Sequence, residues 1–342
     1  SDYLREYMLT ICDKLEKVAN EAGAKSTKVI YKSGGKFYLI TDHTLAITQA
    51  IDARVRAIKR ELWEQQHGEL SINISYVAFS ENADQTVNVA ETDLMPAMSQ
   101  APIGQLWKVV NAAFARQKHQ KFKEVLCDQY ESLFTPLPVG GQPKICDITG
   151  IESDKCVRLE DEDMCVLPSV KAQIELGKRL RKEQGFKEFN DYADLGGGAS
   201  TYLGILRMDV DGLGKRFITG FRSFDDYQRF SNRLVQFFEK EIVNIQHESV
   251  FRDYLNVIYS GGDDLFVVGR WDKTIDFAER VHQEVSTHFR ADGISISGGV
   301  AIVSPKFPIA KSAEMAGEAE DLAKQYCNGE KNAFHMLGKP NT

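Results

Sequence analysis

A chain of 342 residues, 43% hydrophobic and 27% charged, holds enough apolar material for two or three soluble domains. Its formal net charge of −7 supplies no global basic field for nucleic acid, so any such contact must be local or made through partners. No apolar run approaches the ~20 residues that span a bilayer, no signal-peptide pattern opens the chain, and six cysteines in this length point to a reducing cytoplasm rather than a secreted disulfide framework.

Leu4, Met8, Ile11, Leu15 and Val18 recur at helical spacing and predict a helix over 2–22. Lys28–Tyr31 and Phe37–Thr41 predict two strands joined as a hairpin across Ser33-Gly34-Gly35. A helix over 44–66 and a strand Leu70–Phe79, with Ile72, Ile74 and Tyr76 near alternation, complete an α-β-β-α-β segment. Ser80–Pro102 reads as irregular, and 103–133 as one long helix ending near Phe134-Thr135-Pro136. Pro136–Pro168 is a Pro/Gly-rich, cysteine-bearing stretch, about 170–184 a helix, and Asp194–Ser200 a glycine-rich linker.

The last segment predicts the strand Tyr202–Met208, the turn Asp209–Gly214 and a helix over about Phe224–Ile245. Strands Tyr254–Tyr259 and Leu265–Gly269 flank a Gly-Gly turn, and a helix 273–290, a strand Ile294–Val303 and a helix 310–326 follow. This is β-α-β-β-α-β, the split βαβ plan. The two segments read as an internal repeat: VIYKSGGKFYLIT answers VIYSGGDDLFVVG, and LSINISYVAF answers ISISGGVAI. The first copy lacks the strand that should precede its opening helix, so the chain is expected to be a fragment of a longer protein. The expected fold class is α+β: two ferredoxin-like (βαββαβ) units, 1–100 and 199–342, joined by a helical, cysteine-bearing connecting domain, 101–198.

In the split βαβ plan the first strand lies beside the hairpin, so Asp209 at its end meets Asp263 and Asp264 at the hairpin tip. Three carboxylates at one sheet edge repel each other. Mg²⁺ relieves that repulsion, and a pair of such ions suits nucleotidyl transfer. Around the acids, Ser260-Gly261-Gly262 would let backbone approach a triphosphate, and Asp211-Gly212-Leu213-Gly214 would form an anion nest. Lys324 and Lys331 would neutralise the outer phosphates, and Ser297 would face the base. A Gly-Gly-Asp-Asp turn alone is an ordinary hairpin. The MDVDGLG turn, the element order and the following lysines together favour the catalytic reading.

These residues carry a resemblance. LRMDVDGLG, VIYSGGDDLFVVGRWD, ISISGGVAI and AEDLAKQYCNGEKNAF resemble the large subunit of type III CRISPR–Cas effector complexes, of the Csm type. SGGKFYLIT looks like that family's first, degenerate palm, and FARQKHQKFKEVL, ESLFTP and the cysteine stretch look like its connecting region. The resemblance implies a cyclic oligoadenylate synthetase that binds two ATP molecules between two palms and acts when target RNA is bound. It implies two Mg²⁺ or Mn²⁺ ions on Asp209, Asp263 and Asp264, and a second ATP cradled by Ser33-Gly34-Gly35-Lys36. It further implies guide RNA, target RNA, a small subunit and the subunit that binds the guide 5′ end as partners, with no membrane.

The chain departs from the family pattern in two places. It shows no His-Asp pair of a nuclease domain, Asp42-His43 being the reverse order, and no C-terminal helical domain, as expected of a fragment. Cys146-Asp-Ile-Thr149 and Cys165-Val-Leu-Pro168 each keep only the first cysteine of the family's zinc pairs. Two readings stay open for Cys127, Cys146, Cys156 and Cys165, a zinc site or separate buried thiols, while Cys12 and Cys327 read as core. Two other functions compete. One is a diguanylate-cyclase-like enzyme using GTP, since the turn and AKQYCNGEKN resemble that family's motifs. The other is a scaffold that binds RNA and small subunits without turnover.

Overall fold

The computed structural model describes residues 2–66, 70–92, 96–128, 130–133, 144–153, 155–159, 163–184, 189–195, 201–329 and 331–338. In the first half, α1 (Asp2–Glu21) and α2 (Leu45–Gln66) pack through Ile11, Leu15, Val55, Ile58 and Leu62, and between them β1 (Thr27–Ser33) and β2 (Lys36–Thr41) form the expected hairpin. The strand expected over Leu70–Phe79 is not one: residues 70–78 join no ladder. Its alternation serves packing instead, because Leu70, Ile72 and Ile74 lie against the α1–α2 core. A strand needs a neighbour's amides and carbonyls, and no described strand lies beside β2 except β1.

The stretch expected to be irregular is a small antiparallel sheet of β3 (Phe79–Glu81), β4 (Thr86–Val89) and β5 (Met98–Pro102). Asp84 accepts from Thr86 and Gln85 adopts φ 64°, which closes the β3–β4 turn, and Val87 and Val89 are buried. The single helix expected over 103–133 is broken into α3 (Gln105–Lys118), α4 (Lys123–Asp128) and α5 (Tyr130–Leu133). Phe122 at φ 57° makes the break, and its ring packs edge-on against Trp63 at 5.0 Å. The helix end expected at Phe134–Pro136 lies outside the described residues.

Two short hairpins follow, β6 (Lys144–Ile145) with β7 (Glu152–Ser153) and β8 (Val157–Leu159) with β9 (Met164–Val166). They enclose a small core of Cys146, Cys156, Leu159, Val166, Leu167 and Val170 ahead of α6 (Pro168–Gln184). Then α7 (Phe189–Asp194) buries Tyr192 and Ala193 against the second half. Of the expected linker, residues 196–200 lie outside the described residues.

The second half contains β10 (Leu203–Val210), α8 (Leu213–Thr219), α9 (Phe224–Gln236), a π turn (Phe237–Glu241) and α10 (Ile242–Gln246). These are followed by β11 (Leu255–Gly261), β12 (Asp264–Arg270), α11 (Trp271–His288), β13 (Ile296–Val303), α12 (Ile309–Gly329) and β14 (Phe334–Gly338). The five-stranded sheet has the order β11-β12-β10-β13-β14, with β10 central and antiparallel to both neighbours and β14 parallel to β13. Its two faces follow strand alternation. Leu206, Met208 and Val210 join α9, α10 and α11, while Leu203 and Ile205 join α7 and α12. Gly299 allows the second contact: a Cβ there would lie 2.1 Å from the Glu320 amide nitrogen, so only glycine lets α12 lie this close to the sheet.

A further core joins the halves. Ile30, Val87, Val89, Ile103, Leu106 and Trp107 pack with Tyr227 and, at the margin, Phe217. The Trp107 ring meets Tyr38 at 4.3 Å, Tyr227 at 5.2 Å and Phe217 at 5.3 Å. Each such pair adds ~0.5–1.5 kcal/mol beyond burial, so the first hairpin is held on α8 and α9 of the second half.

Candidate active site

Asp209, one residue from the end of β10, pairs directly with Asp264 on β12 and with Ser297 on β13. Gly262 (φ 73°) and Asp263 make the β11–β12 turn, and the Val210 amide donates to the Asp263 carbonyl at 3.1 Å, tying that turn to β10. One carboxylate oxygen from each of Asp209, Asp263 and Asp264 lies within 4.8 Å of the other two. Among the described residues this is the only group of His, Cys, Asp and Glu close enough to hold a metal ion.

Charge crowding shows in the proton affinities. Burial and then the neighbouring Asp209 push the Asp263 carboxyl up, against the pull of Lys36 and Lys324. Partial burial, then Asp263 and Asp209, push Asp264 to about 7. A cluster of hard oxygen donors that resists its own ionisation fits a divalent cation such as Mg²⁺ or Mn²⁺.

One cation of the chain is already present. Lys324 Nζ lies 2.5 Å from Asp209 and 2.6 Å from Glu320, which is buried, and Glu320 also faces Arg207 at 3.5 Å. Burial alone would lower the lysine's proton affinity, but the hydrogen bonds to Asp209 and Glu320 outweigh it and hold the ammonium charged. The arrangement follows from matched repeats. Residues 320 and 324 of α12 are one turn apart, a rise of ~6 Å. Residues 207 and 209 of β10 are two apart, a rise of ~6.7 Å. Positive and negative groups therefore alternate from Arg207 through Glu320 and Lys324 to Asp209.

The other expected site residues divide. Asp211 is buried, and its Oδ2 accepts from Ser295 Oγ (2.8 Å), Ser297 Oγ (2.9 Å) and the Asn332 amide (3.0 Å), so it braces the strand ends. Its own amide is spent on the Ser295 carbonyl, which narrows the expected anion nest to Gly212, Leu213 and Gly214. Gly212 is left-handed at φ 68°, and Leu213 packs against the main core rather than facing an open site. Ser297, expected to face the base, is fully buried, and its hydroxyl donates to Asp211 and accepts from the Ala333 amide. Lys331 stands at φ 61° in the turn before Asn332, next to the Asp211 brace.

The hairpin tips meet. Ser33 Oγ, fully buried, accepts from the Gly262 amide at 2.9 Å and donates to Glu239 Oε1 at 3.2 Å. Ser260 Oγ donates to the Phe238 carbonyl. Both serines were expected at a phosphate, and the structure gives their hydroxyls protein partners instead. A Cβ on Gly34 would lie 3.2 Å from Tyr259 Oη and 3.2 Å from the Gly261 carbonyl, and one on Gly262 would lie 2.7 Å from Tyr31 Oη. Each tip thus sits under the other hairpin's tyrosine. Gly35 is open and Lys36 acts on Asp263 across the junction.

The cysteines gather only in part. Cys146 Sγ accepts from the Thr149 amide at 3.5 Å, and Cys156 lies near Cys165 and Cys146 and within 3.6 Å of the Lys144 carbonyl. Cys127 is exposed on α4, which packs on α2, so the four do not assemble. Cys12 is buried as expected, and the Cys327 side chain lies outside the described residues. Sequence reasoning missed Glu320, Arg207, Glu239 and Arg5. Only Glu320 carried a signal, as the acid four residues before Lys324.

Comparison with known proteins gives a family and a fold. The family described as Cas10/Cmr2, second palm domain, matches residues 202–335, and that described as Csm1 subunit domain B matches residues 3–136. The CRISPR system single-strand-specific deoxyribonuclease Cas10/Csm1 (subtype III-A) of Enterococcus italicus is 42% identical over 134 residues, covering 38% of this chain and 17% of that protein. The counterpart from Mycobacterium tuberculosis is 35% identical over 159 residues, 40% of this chain and 19% of that protein. A crystal structure of a Csm1–Csm4 cassette with one ATP overlays 99% of this chain at TM-score 0.66 and 16% identity. A cassette with cA4 overlays 95% of it at TM-score 0.63 and 16% identity, which at these identities establishes the fold. The chain spans about half the length of the solved Csm1 chains it overlays.

Proposed function

Because the chain belongs to the Cas10/Csm1 large subunits of type III-A CRISPR systems, we propose that its Asp209–Asp263–Asp264 site joins ATP molecules into cyclic oligoadenylates. The trigger in this reading is target RNA held by the guide RNA of the assembled complex. The single observation that carries it is the convergence of three carboxylates within 4.8 Å at the junction of two hairpins. In this reading residues 1–100 and 199–342 are the two palms and 101–198 the connecting domain. The subunit that binds the guide 5′ end and the small subunit are partners, in line with the Csm1–Csm4 complexes among the structural neighbours. Among the described residues no helix is long and apolar enough to cross a membrane.

Asp209, Asp263 and Asp264 would hold Mg²⁺ or Mn²⁺, which supplies charge neutralisation on the phosphate oxygens and acidifies the attacking hydroxyl. A ribose hydroxyl of one ATP gives up its proton to water and forms the new P–O bond at the α-phosphorus of the other, and the bond to pyrophosphate breaks in line. Lys324 serves the leaving pyrophosphate, exchanging its Asp209 contact for phosphate while Glu320 keeps it in place. Gly35 and Lys36 offer the second nucleotide an open turn with one positive charge. No side-chain nucleophile is needed, and most of the acceleration comes from positioning and electrostatics.

Calorimetric titration of ATP, with GTP as control, in Mg²⁺ or Mn²⁺ tests the reading on this chain and on Asp263→Ala/Asp264→Ala. Metal-dependent ATP binding that the double variant loses is the expected result. A preference for GTP would move the assignment to a diguanylate-cyclase-like enzyme, and binding of neither would leave a scaffold role.

A further inference from the structure

The catalytic turn of the second half is held by the first half through a chain of polar contacts that ends at a π turn. Arg5 of α1 pairs with Glu239 at 3.0 Å, Glu239 Oε1 accepts from Ser33 Oγ at 3.2 Å, and Ser33 Oγ accepts from the Gly262 amide at 2.9 Å. Gly262 immediately precedes Asp263. The same π turn, Phe237–Glu241, holds the second hairpin from its own side, because Ser260 Oγ donates to the Phe238 carbonyl. A π turn widens the helix by one residue and tends to occur where a helix serves a site. Here it presents two successive residues, Phe238 by its carbonyl and Glu239 by its carboxylate, to two serines on two hairpins.

We propose that Ser33 and Glu239 are positioning residues for the Asp263–Asp264 turn, through which docking of the first half sets how well the acidic site holds a divalent cation. The inference rests on the acidic site being the metal site of the reading above. Neither side chain touches a carboxylate of the cluster, and both act through the Gly262 amide. That amide is buried against Ser33, so removing the hydroxyl leaves a donor without an acceptor and frees the turn. Glu239 sets which way the hydroxyl points. With its proton committed to Glu239, the Ser33 oxygen presents a lone pair to Gly262.

The test uses the 342-residue chain and four variants, Ser33→Ala, Glu239→Ala, Glu239→Gln and the Ser33→Ala/Glu239→Ala double. Three properties are read: hydrogen exchange of the peptide spanning Ser260–Phe266, Mn²⁺ affinity by electron paramagnetic resonance, and the thermal midpoint. Ser33→Ala is expected to speed exchange of that peptide by roughly tenfold, equal to about 1.4 kcal/mol, and to weaken Mn²⁺ several-fold. Exchange elsewhere in the second half should stay unchanged. Glu239→Gln keeps an acceptor for Ser33 and should stay closer to wild type than Glu239→Ala. In exchange of that peptide the double variant should be no worse than Ser33→Ala, since the two residues act on it in series. Unchanged exchange at the tip, exchange rising evenly across the second half, or additive single effects would each overturn the proposal. If wild type binds no Mn²⁺, the metal-site reading falls, and the exchange data still decide whether the contact chain holds the turn.

Discussion

Replacing Asp264 by asparagine should stabilise the metal-free protein at pH 8, although it removes a residue assigned to catalysis. In the fold the Asp264 carboxyl titrates near 7 instead of near 4, because of partial burial and the charges of Asp263 and Asp209. Each tenfold step in proton affinity is ~1.4 kcal/mol, so a fully shielded group would cost about 4 kcal/mol when ionised. Asp264 remains exposed, and solvent screening cuts the cost to roughly 1–2 kcal/mol. The sign follows from linkage. A carboxyl whose folded value is raised binds more protons folded than unfolded, so stability is greatest below pH ~4 and is lost as pH rises through ~7. Asp264→Asn has no such loss. Thermal unfolding in EDTA should therefore show the variant melting about 1–3 °C above wild type at pH 8, with the gap closing toward pH 4. Added Mg²⁺ should narrow the gap by stabilising wild type alone. A variant that melts below wild type at pH 8 in EDTA, or a gap independent of pH, would refute the account of the cluster as self-repelling.

Lys324→Met removes the one cation held between Asp209 and Glu320, and ATP affinity measured by calorimetry should fall roughly tenfold, as for a lost charge-assisted hydrogen bond. Gly299→Ala places a Cβ 2.1 Å from the Glu320 amide nitrogen, so α12 must move; urea unfolding should show a loss of ~1–3 kcal/mol, and ATP binding should weaken with it. Asp211→Asn keeps the shape but weakens three hydrogen bonds to the carboxylate, and a loss of ~1–3 kcal/mol without loss of Mn²⁺ binding would confirm Asp211 as a brace rather than a ligand.

The acidic triad was legible in the sequence because turn chemistry and strand order act locally. Gly261-Gly262 fixes the hairpin, and the β-α-β-β order puts Asp209 beside it. Glu320 was not legible, since an acid four residues before a lysine on a helix usually marks a solvated pair. Its burial depends on how α12 lies over β10, which the close approach at Gly299 sets. The serines failed in the opposite sense. Ser33, Ser260 and Ser297 were expected at a nucleotide, but long-range packing supplies each hydroxyl with a protein partner. The expected strand over 70–79 failed because its period reports only which side is buried, while strand identity needs a partner. The sheet β3–β5 and the strand β14 were missed because three to five residues give too short a period to read.

The two hairpins differ for a reason that their docking explains. Their registers coincide: Ser33 pairs with Lys36 as Gly261 pairs with Asp264, and both ladders slip at the same step, between Val29 and Tyr31 and between Val257 and Tyr259. Asp264 therefore answers to Lys36, and Asp263 to Gly35. The tips are near enough for Ser33 to accept from Gly262 at 2.9 Å. Acids in both copies would set two carboxylates on each side of that contact. Taking a separation of about 6 Å and an effective dielectric of about 20, each like-charged pair would cost ~3 kcal/mol. Lys36 reverses the sign, and its charge favours ionisation of Asp263. One hairpin carries the acids, and the other meets them with a lysine whose charge offsets theirs.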